Sequence, residues 1–507
     1  MRKATSYIFL CFFLTAVNAL HASAQATGSG INFNAIDAYI AAKMRAPHIP
    51  GLALAIVKDN QVIYLTGYGK ANPSGQLVTP QTPFIIGSVT KSFTALAVMQ
   101  LAEAGKVQLD APVQRYLPWF RVADPVASAK ITVRQLMLQT SGLPMIREPQ
   151  LWADLDDHAL ERTVRFLKTA KMSFPPGQSF GYSNANYETL GMIIQAVSRQ
   201  LYEAYIQQNI FDRLDMRNSF TSQEEALKHG MATGYRWWFG IPVAATFHYN
   251  RSELPAGYII SSAEDMAHYL VAQMNGGTYK DSSVLSPQGI ALTHVVPPPG
   301  DYGMGWESVE INGDTLIDHD GGTANFQSSI FFDPKKRTGV FIAANVMCAL
   351  DAFSSPHGSS PLDGSTVRAM AQHVLSMVTN RPPPDEGRGI RKLYIIFNVM
   401  ILMLTLALII SLLLISKRYK RLRQRGIATR SGFIWRIGLI SVLHFVWPLV
   451  LLYVALNVLV WKVYVMFQPD LAYWLGAVAV IVFFKGLLEI GLTWRVFRES
   501  KHRVDAV

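Results

Sequence analysis

Three short stretches carry residue types that can make and break an acyl bond. The first is Ser88-Val89-Thr90-Lys91, preceded by the turn residue Gly87. A serine hydroxyl is a poor nucleophile until a neighbouring base takes its proton. Residues three apart share a helix face, so Lys91 would lie one turn above Ser88. Lysine can act as that base when desolvation or cationic neighbours lower its pKa. A helix N-terminus adds partial positive charge where an oxyanion would form. Alone, the same pattern also fits an N-capping serine followed by a solvated lysine.

The second stretch is Tyr182-Ser183-Asn184, after the turn-rich Phe174-Pro175-Pro176-Gly177-Gln178. A tyrosine on a rigid loop can shuttle a proton if a lysine ammonium lowers its pKa. The Asn184 side-chain amide can meet a substrate carbonyl. A packed aromatic and a helix cap are the plainer reading. The third stretch is His319-Asp320-Gly321-Gly322-Thr323. Glycines there would let a substrate backbone approach a strand edge. The N–H after Gly321 would form half of an oxyanion hole, with the Ser88 N–H as the other half. His319 would orient the tyrosine or a substrate carboxylate; a β-turn with a solvated histidine is the alternative.

The elements that must position these groups follow from periodicity. The spacing of Phe93, Leu96, Ala97 and Leu101 predicts a helix opened by Ser88. A helix over about 34–45 with Asn34 as N-cap precedes it. Gly51–Val57 and Val62–Leu65, around Asp59-Asn60, predict a hairpin of two buried strands. Helical patterns follow at Val133–Leu138, Tyr187–Val197 and Ala263–Met274, the last capped by Ser262. Apolar runs at Tyr302–Val309, Thr315–Ile317, Phe326–Phe332 and Gly339–Ala344 predict consecutive antiparallel strands, with Asn312-Gly313 and Asp333–Lys336 as turns. A helix over Ser365–Met377 closes the domain. Strands, helices, strands and a helix in that order predict one α+β domain whose sheet draws on both ends of the segment.

With 507 residues and half of them hydrophobic, the chain exceeds one ordinary domain and carries a membrane portion. Its net charge of +11 is uneven. From Arg391 onward there are 16 basic and 4 acidic residues, while the remainder is close to neutral. Nucleic acid is therefore excluded as a partner of the main domain. Residues 1–24 read as a signal peptide, with Arg2 and Lys3, the apolar Tyr7–Val17 and Ala22-Ser23-Ala24 as its cleavage site. Cys11 lies within it and Cys348 stands alone, which leaves no disulfide and no thiol metal site.

The domain over 25–380 is followed by a stiff polar linker over 381–392. Apolar spans are expected at 393–415, 437–461 and 471–494. Pro448 falls inside the second as a kink. Basic residues crowd 416–436 and the tail 495–507, whereas the connection between the last two spans holds Lys462 and Asp470. Excess Lys/Arg marks the cytoplasmic side, so the main domain is placed outside. Lys485 and Glu489 sit four apart in the third span and are expected to pair on one face and snorkel.

Taken together, Ser88-x-x-Lys91, Tyr182-x-Asn184 and His319-x-Gly321 resemble the serine β-lactamase-like and penicillin-binding family, in the branch of class C β-lactamases and D-peptidases. Ile131–Pro144 and Pro255-Ala256-Gly257 before Ser261–Met266 fit it too. The likeness covers roughly 31–380. It implies an antiparallel sheet flanked by helices, with a helical subdomain and the site between them. It implies Ser88 as nucleophile, Lys91 and Tyr182 as the proton-handling pair, Asn184 as a ligand of the substrate carbonyl, and no metal or cofactor. His319 stands where the β-lactamases carry the lysine of K-T-G, which points away from β-lactam hydrolysis.

The three-span tail is similar to that of envelope penicillin-binding-like proteins and of prodrug-activating D-peptidases of nonribosomal peptide pathways. The expectation is a membrane-held extracytoplasmic serine peptidase or amidase acting on a D-residue-containing or N-acylated peptide. An esterase or β-lactamase of the same fold, and an acylated receptor without turnover, are the alternatives. Ile85, where an acidic residue would suit an asparagine amide, counts against an asparagine-specific site. The expected partners are the peptide substrate, membrane lipid, and a transporter or second copy along the spans.

Overall fold

The computed structural model of the protein describes residues 30–45, 48–144, 155–246, 249–300, 302–311, 313–347, 366–384, 390–427, 429–446, 448–450, 453 and 468–504. The signal peptide, Cys348, Asn312 and the stretch from the end of the second span to the start of the third lie outside the described residues.

The strands are β1 Gly51–Lys58, β2 Gln61–Gly69, β3 Phe84–Ile85, β4 Tyr235–Trp238, β5 Ile241–Ala244, β6 Ile260–Ser261, β7 Thr278–Tyr279, β8 Ser282–Ser283, β9 Glu307–Ile311, β10 Asp314–Gly322, β11 Gln327–Asp333, β12 Thr338–Ala344 and β13 Val346–Met347. Six of them form an antiparallel sheet in the order β2-β1-β12-β11-β10-β9. The first hairpin and the last four strands thus meet at β1 and β12, as the element order predicts.

Alternation along β1 explains its unbroken apolar run. Ala53, Ala55 and Val57 enter the core shared with the helical part of the domain, and Leu52, Leu54 and Ile56 enter a second core beneath helices Phe33–Arg45 and Thr366–Thr379. β2 is only half-buried, because it forms the sheet's edge. The first helix starts one residue earlier than its pattern implies, and Asn32, not Asn34, accepts the Ala35 N–H. Ser262 caps Ala263–Met274 by accepting the Asp265 N–H, as expected. Glu307, not Tyr302, opens β9; Gly303 and Gly305 leave the residues before it irregular.

On β10 the same alternation separates two chemistries. Ile317 faces the first core and Leu316 the second. By parity His319 and Gly321 face the helical side, whereas Asp318 and Asp320 face the closing helix. There the Arg368 guanidinium binds Asp318 at 2.6 Å and Asp320 at 2.7 Å. Arg381, counted in the linker by its composition, is held in the domain by Asp314 at 2.6 Å and by Asp333.

Among the described residues, three further helices are long and apolar enough to cross a membrane, over Tyr394–Leu413, Arg430–Val450 and Pro469–His502. The basic connection is itself helical over Ile415–Arg425. Snorkelling of Lys485 is overturned. Its ammonium is buried, pairs with Glu489 at 2.8 Å and reaches His444 Nε2 of the neighbouring span at 2.6 Å. His444 Nδ1 faces the Ile440 carbonyl at 3.0 Å, so Nε2 is left to accept from Lys485.

Candidate active site

Ser88 sits in one tight 3-10 turn, Gly87–Val89, at the head of helix Thr90–Glu103. This helix is buried on nearly all sides, between sheet and helical region, so its apolar stripe understates how deeply it lies. The N-cap positions of the turn and the helix are held by Ile86 and Val89, not by Ser88.

The Lys91 ammonium position is buried and lies 3.0 Å from Ser88 Oγ, 2.8 Å from Asn184 Oδ1 and 2.6 Å from the Ala256 carbonyl. Burial pulls its pKa down to about 7, against the opposing charges of Glu188, Glu253 and Glu307. A neutral amine has two N–H groups and one lone pair. The atoms that face it, Asn184 Oδ1 and the Ala256 carbonyl oxygen, are acceptors, so they use both N–H groups. The lone pair is then left facing the Ser88 hydroxyl, which is the arrangement a general base needs.

Tyr182 lies on the loop before helix Asn184–Ser198. Its side chain interacts with that of Ser88, and Lys91 Nζ stands 4.8 Å from its ring centre. The sequence led us to expect a lysine-lowered phenol. The structure reverses this: burial raises the Tyr182 pKa well above 10, so at neutral pH the phenol keeps its proton. Gln139 fixes the loop, its carbonyl accepting the Gly181 N–H and its side chain the Ser183 N–H, each at 2.9 Å. Gln139 is buried in the left-handed region at φ 58° and also binds Asn186.

His319 is buried on the strand, so the β-turn reading fails. Its Nδ1 faces the Asp320 carbonyl at 2.7 Å and its Nε2 the Tyr302 hydroxyl at 2.7 Å. Burial, and then the Lys91 charge, lowers its pKa to about 3. It is neutral, and a carbonyl at Nδ1 makes Nε2 the acceptor of the Tyr302 proton. A neutral ring with both nitrogens engaged has no charge to offer a carboxylate, and the phenol it holds is Tyr302, not Tyr182.

Tyr302 is the residue that motif reading missed. Its ring meets those of Tyr182 at 5.9 Å and His319 at 5.5 Å, edge to face. The signal was present in Tyr302-Gly303-Met304-Gly305. Gly305 has φ +84°, and a Cβ there would come within 2.7 Å of Ser92 Cα. Glycines so placed mark a close approach to helix Thr90–Glu103, not a strand. Glu188 was also missed; it lies one turn along from Asn184, buried behind Lys91.

β9 pairs only with Asp314–Asp318 of β10, so the far half of β10, His319–Gly322, has an open edge. A Cβ on Gly321 would lie 1.9 Å from the Ile86 carbonyl, and one on Gly87 would lie 2.4 Å from Gly322 N. The absent side chain therefore admits the Ser88 turn itself rather than a substrate backbone. This contact brings the Ser88 turn against the strand carrying Gly322 N. Ile85 is fully buried and pairs with Ile260, so it cannot read a substrate whatever its type.

Comparison with known proteins identifies the family. The chain matches the family model described as Beta-lactamase over residues 36–395. It is 28% identical to "Protein flp" of Staphylococcus aureus strain MW2 over 400 residues, 78% of this chain and 77% of that protein. It is 29% identical to "Penicillin-binding protein 4" of Amycolatopsis lactamdurans over 290 residues, 54% of this chain and 75% of that protein. Among solved structures, the octameric penicillin-binding protein homologue from Pyrococcus abyssi is similar with a TM-score of 0.60 and 28% identity, over 70% of this chain and 79% of that one. Matched over well more than half of its length and folded on the same antiparallel sheet, the chain belongs to the beta-lactamase family.

Proposed function

We propose that the protein is a membrane-anchored extracytoplasmic serine hydrolase, a peptidase or amidase acting on a D-amino-acid-containing or N-acylated peptide through an acyl-Ser88 ester. Lys91 carries this reading: it is buried, with a pKa near 7, both N–H groups spent on Asn184 and Ala256, and its lone pair left for Ser88.

The neutral Lys91 amine takes the Ser88 proton as Oγ attacks the scissile carbonyl. The oxyanion is held by the Ser88 and Gly322 N–H groups. The Tyr182 hydroxyl gives its proton to the leaving nitrogen and regains one from the Lys91 ammonium. Water then enters, losing its proton to the same pair, and breaks the ester. Asn184 both orients Lys91 and, through its amide nitrogen, meets the substrate carbonyl. The neutral His319 supports a substrate that brings no carboxylate to that corner. This favours N-acylated or internal peptide bonds, from a wall peptide or an exported precursor, over β-lactams.

The test uses the full chain in lipid nanodiscs, given an acyl-D-amino peptide, a chromogenic β-lactam and a p-nitrophenyl ester. Turnover of the peptide, lost in Ser88→Ala, is the expected result. Peptide turnover unchanged in Ser88→Ala, or a stable adduct without turnover, would refute the peptidase reading.

A further inference from the structure

We propose that the β4–β5 hairpin is a lipid-facing anchor, which seats its Phe239-Gly240 tip in the headgroup boundary of the bilayer beside the first and third spans. No charged residue occurs from Trp237 to Phe247. Phe239, Ile241 and Val243 are 41%, 66% and 43% exposed, a high share for apolar side chains so close together.

The tip is continuous with the spans. Trp237 stacks on Tyr394 at 4.8 Å and Trp238 on Tyr473 at 5.9 Å. Both tyrosines stand near the N-terminal ends of their spans, where amphipathic rings mark the membrane–water boundary. The Phe239 N–H donates to Asp470 Oδ2 at 2.8 Å, and the Phe239 carbonyl accepts from Asn398 Nδ2 at 2.9 Å. A backbone entering lipid must have its polar groups satisfied, and here the span helices themselves do this.

The turn's own chemistry agrees. Phe239 and Gly240 both have positive φ, 50° and 89°. A two-residue hairpin turn of this kind is normally built from Asn-Gly or Asp-Gly. A bulky aromatic in the left-handed region is strained and is retained where its side chain serves a purpose. β5 is an edge strand, and Pro242 removes one N–H from that edge. At the hairpin's other end, Arg236 Nε donates to Asn325 Oδ1 at 2.7 Å, just beyond the β10 edge. At about 3.3 Å per residue, Phe239 stands only ~10 Å along the strand from Arg236. The anchor would thereby fix the height of the site above the bilayer.

The inference rests on the three helices crossing a bilayer and not on the chemistry at Ser88. In full-length protein with Cys11→Ser and Cys348→Ser, spin labels are placed singly at Ile241→Cys, at Leu77→Cys on an exposed loop, and at Leu406→Cys in the first span. Reconstituted in phosphatidylcholine–phosphatidylglycerol nanodiscs, the Ile241 label is expected to collide with oxygen and to be shielded several-fold from a nickel chelate relative to Leu77, to a degree between that of Leu77 and that of the mid-span Leu406. Nickel access at Ile241 equal to that at Leu77, with Leu406 shielded, overturns the anchor alone. Nickel access at Leu406 overturns the spans and the anchor with them. Spin–spin coupling between Ile241 labels, shielded from both relaxants, overturns it in favour of a second copy.

Discussion

Gln139 grips the chain on both sides of Tyr182, taking the Gly181 N–H with its carbonyl and the Ser183 N–H with its side-chain oxygen. The phenol at the centre of the site is thus aimed by a residue that touches no reacting atom. Gln139→Ala removes one of the two bonds and the link to Asn186, while leaving Ser88 and Lys91 intact. Turnover is expected to fall by about 100-fold, the size of loss that a misplaced group produces. KM should change little. Equal kcat in the variant and the parent, measured with a p-nitrophenyl ester, would show that the grip is dispensable.

In the proposed mechanism Lys91 sets the pH dependence. Its amine is the working base only when neutral, and its pKa is about 7. Acylation should therefore rise as pH increases through about 7 and then level off, with activity lost below it. Lys91→Arg, which stays charged, should lose about 100-fold or more at every pH. The check is the rate of Ser88 acylation between pH 5 and 9; a flat profile would contradict the assignment.

His319 and His294 make an opposite contribution, to stability. Both are buried, with pKa values lowered to about 3 and about 4 from an ordinary 6.5. Below 6.5 the unfolded chain takes up protons that the folded chain refuses. Stability is whole above that point and falls as pH drops toward 3. Thermal unfolding of the detergent-solubilised protein at pH 7.5 and 5.0 should show a loss that shrinks in the double variant His319→Gln, His294→Gln.

Arg368 holds two carboxylates on the back of β10, one residue to either side of His319. Arg368→Ala would leave both buried without their cation, at a cost of about 3–5 kcal/mol. A drop of this size in denaturant unfolding, compared with Arg368→Lys, is the expected outcome. An unchanged midpoint would mean that water replaces the guanidinium without penalty.

Periodicity and turn chemistry made the sheet legible from both ends of the domain, because strands with one or two buried faces repeat every second residue. Ser88, Lys91, Tyr182 and Asn184 were legible as types in motifs, and the fold brings them together. Their protonation states were not. Whether Tyr182 is lowered by its lysine or raised by burial depends on how much water the folded chain leaves, which no spacing encodes. Tyr302 was hidden because its run of apolar residues passed for a strand. Lys485 was misjudged because its partner His444 lies on another helix, 41 positions away.

The contact between Ile86-Gly87 and Gly321-Gly322 is main chain against main chain. The spacing of the two proposed oxyanion donors is therefore set largely by the polypeptide itself, with one side chain, the Ser328 hydroxyl, donating to the Ile86 carbonyl at 2.6 Å beside it. A chain built in this way can replace the residues that choose its substrate and keep the reacting geometry as it was. The first substitution to disturb that geometry would be one that gives Gly87 or Gly321 a methyl group.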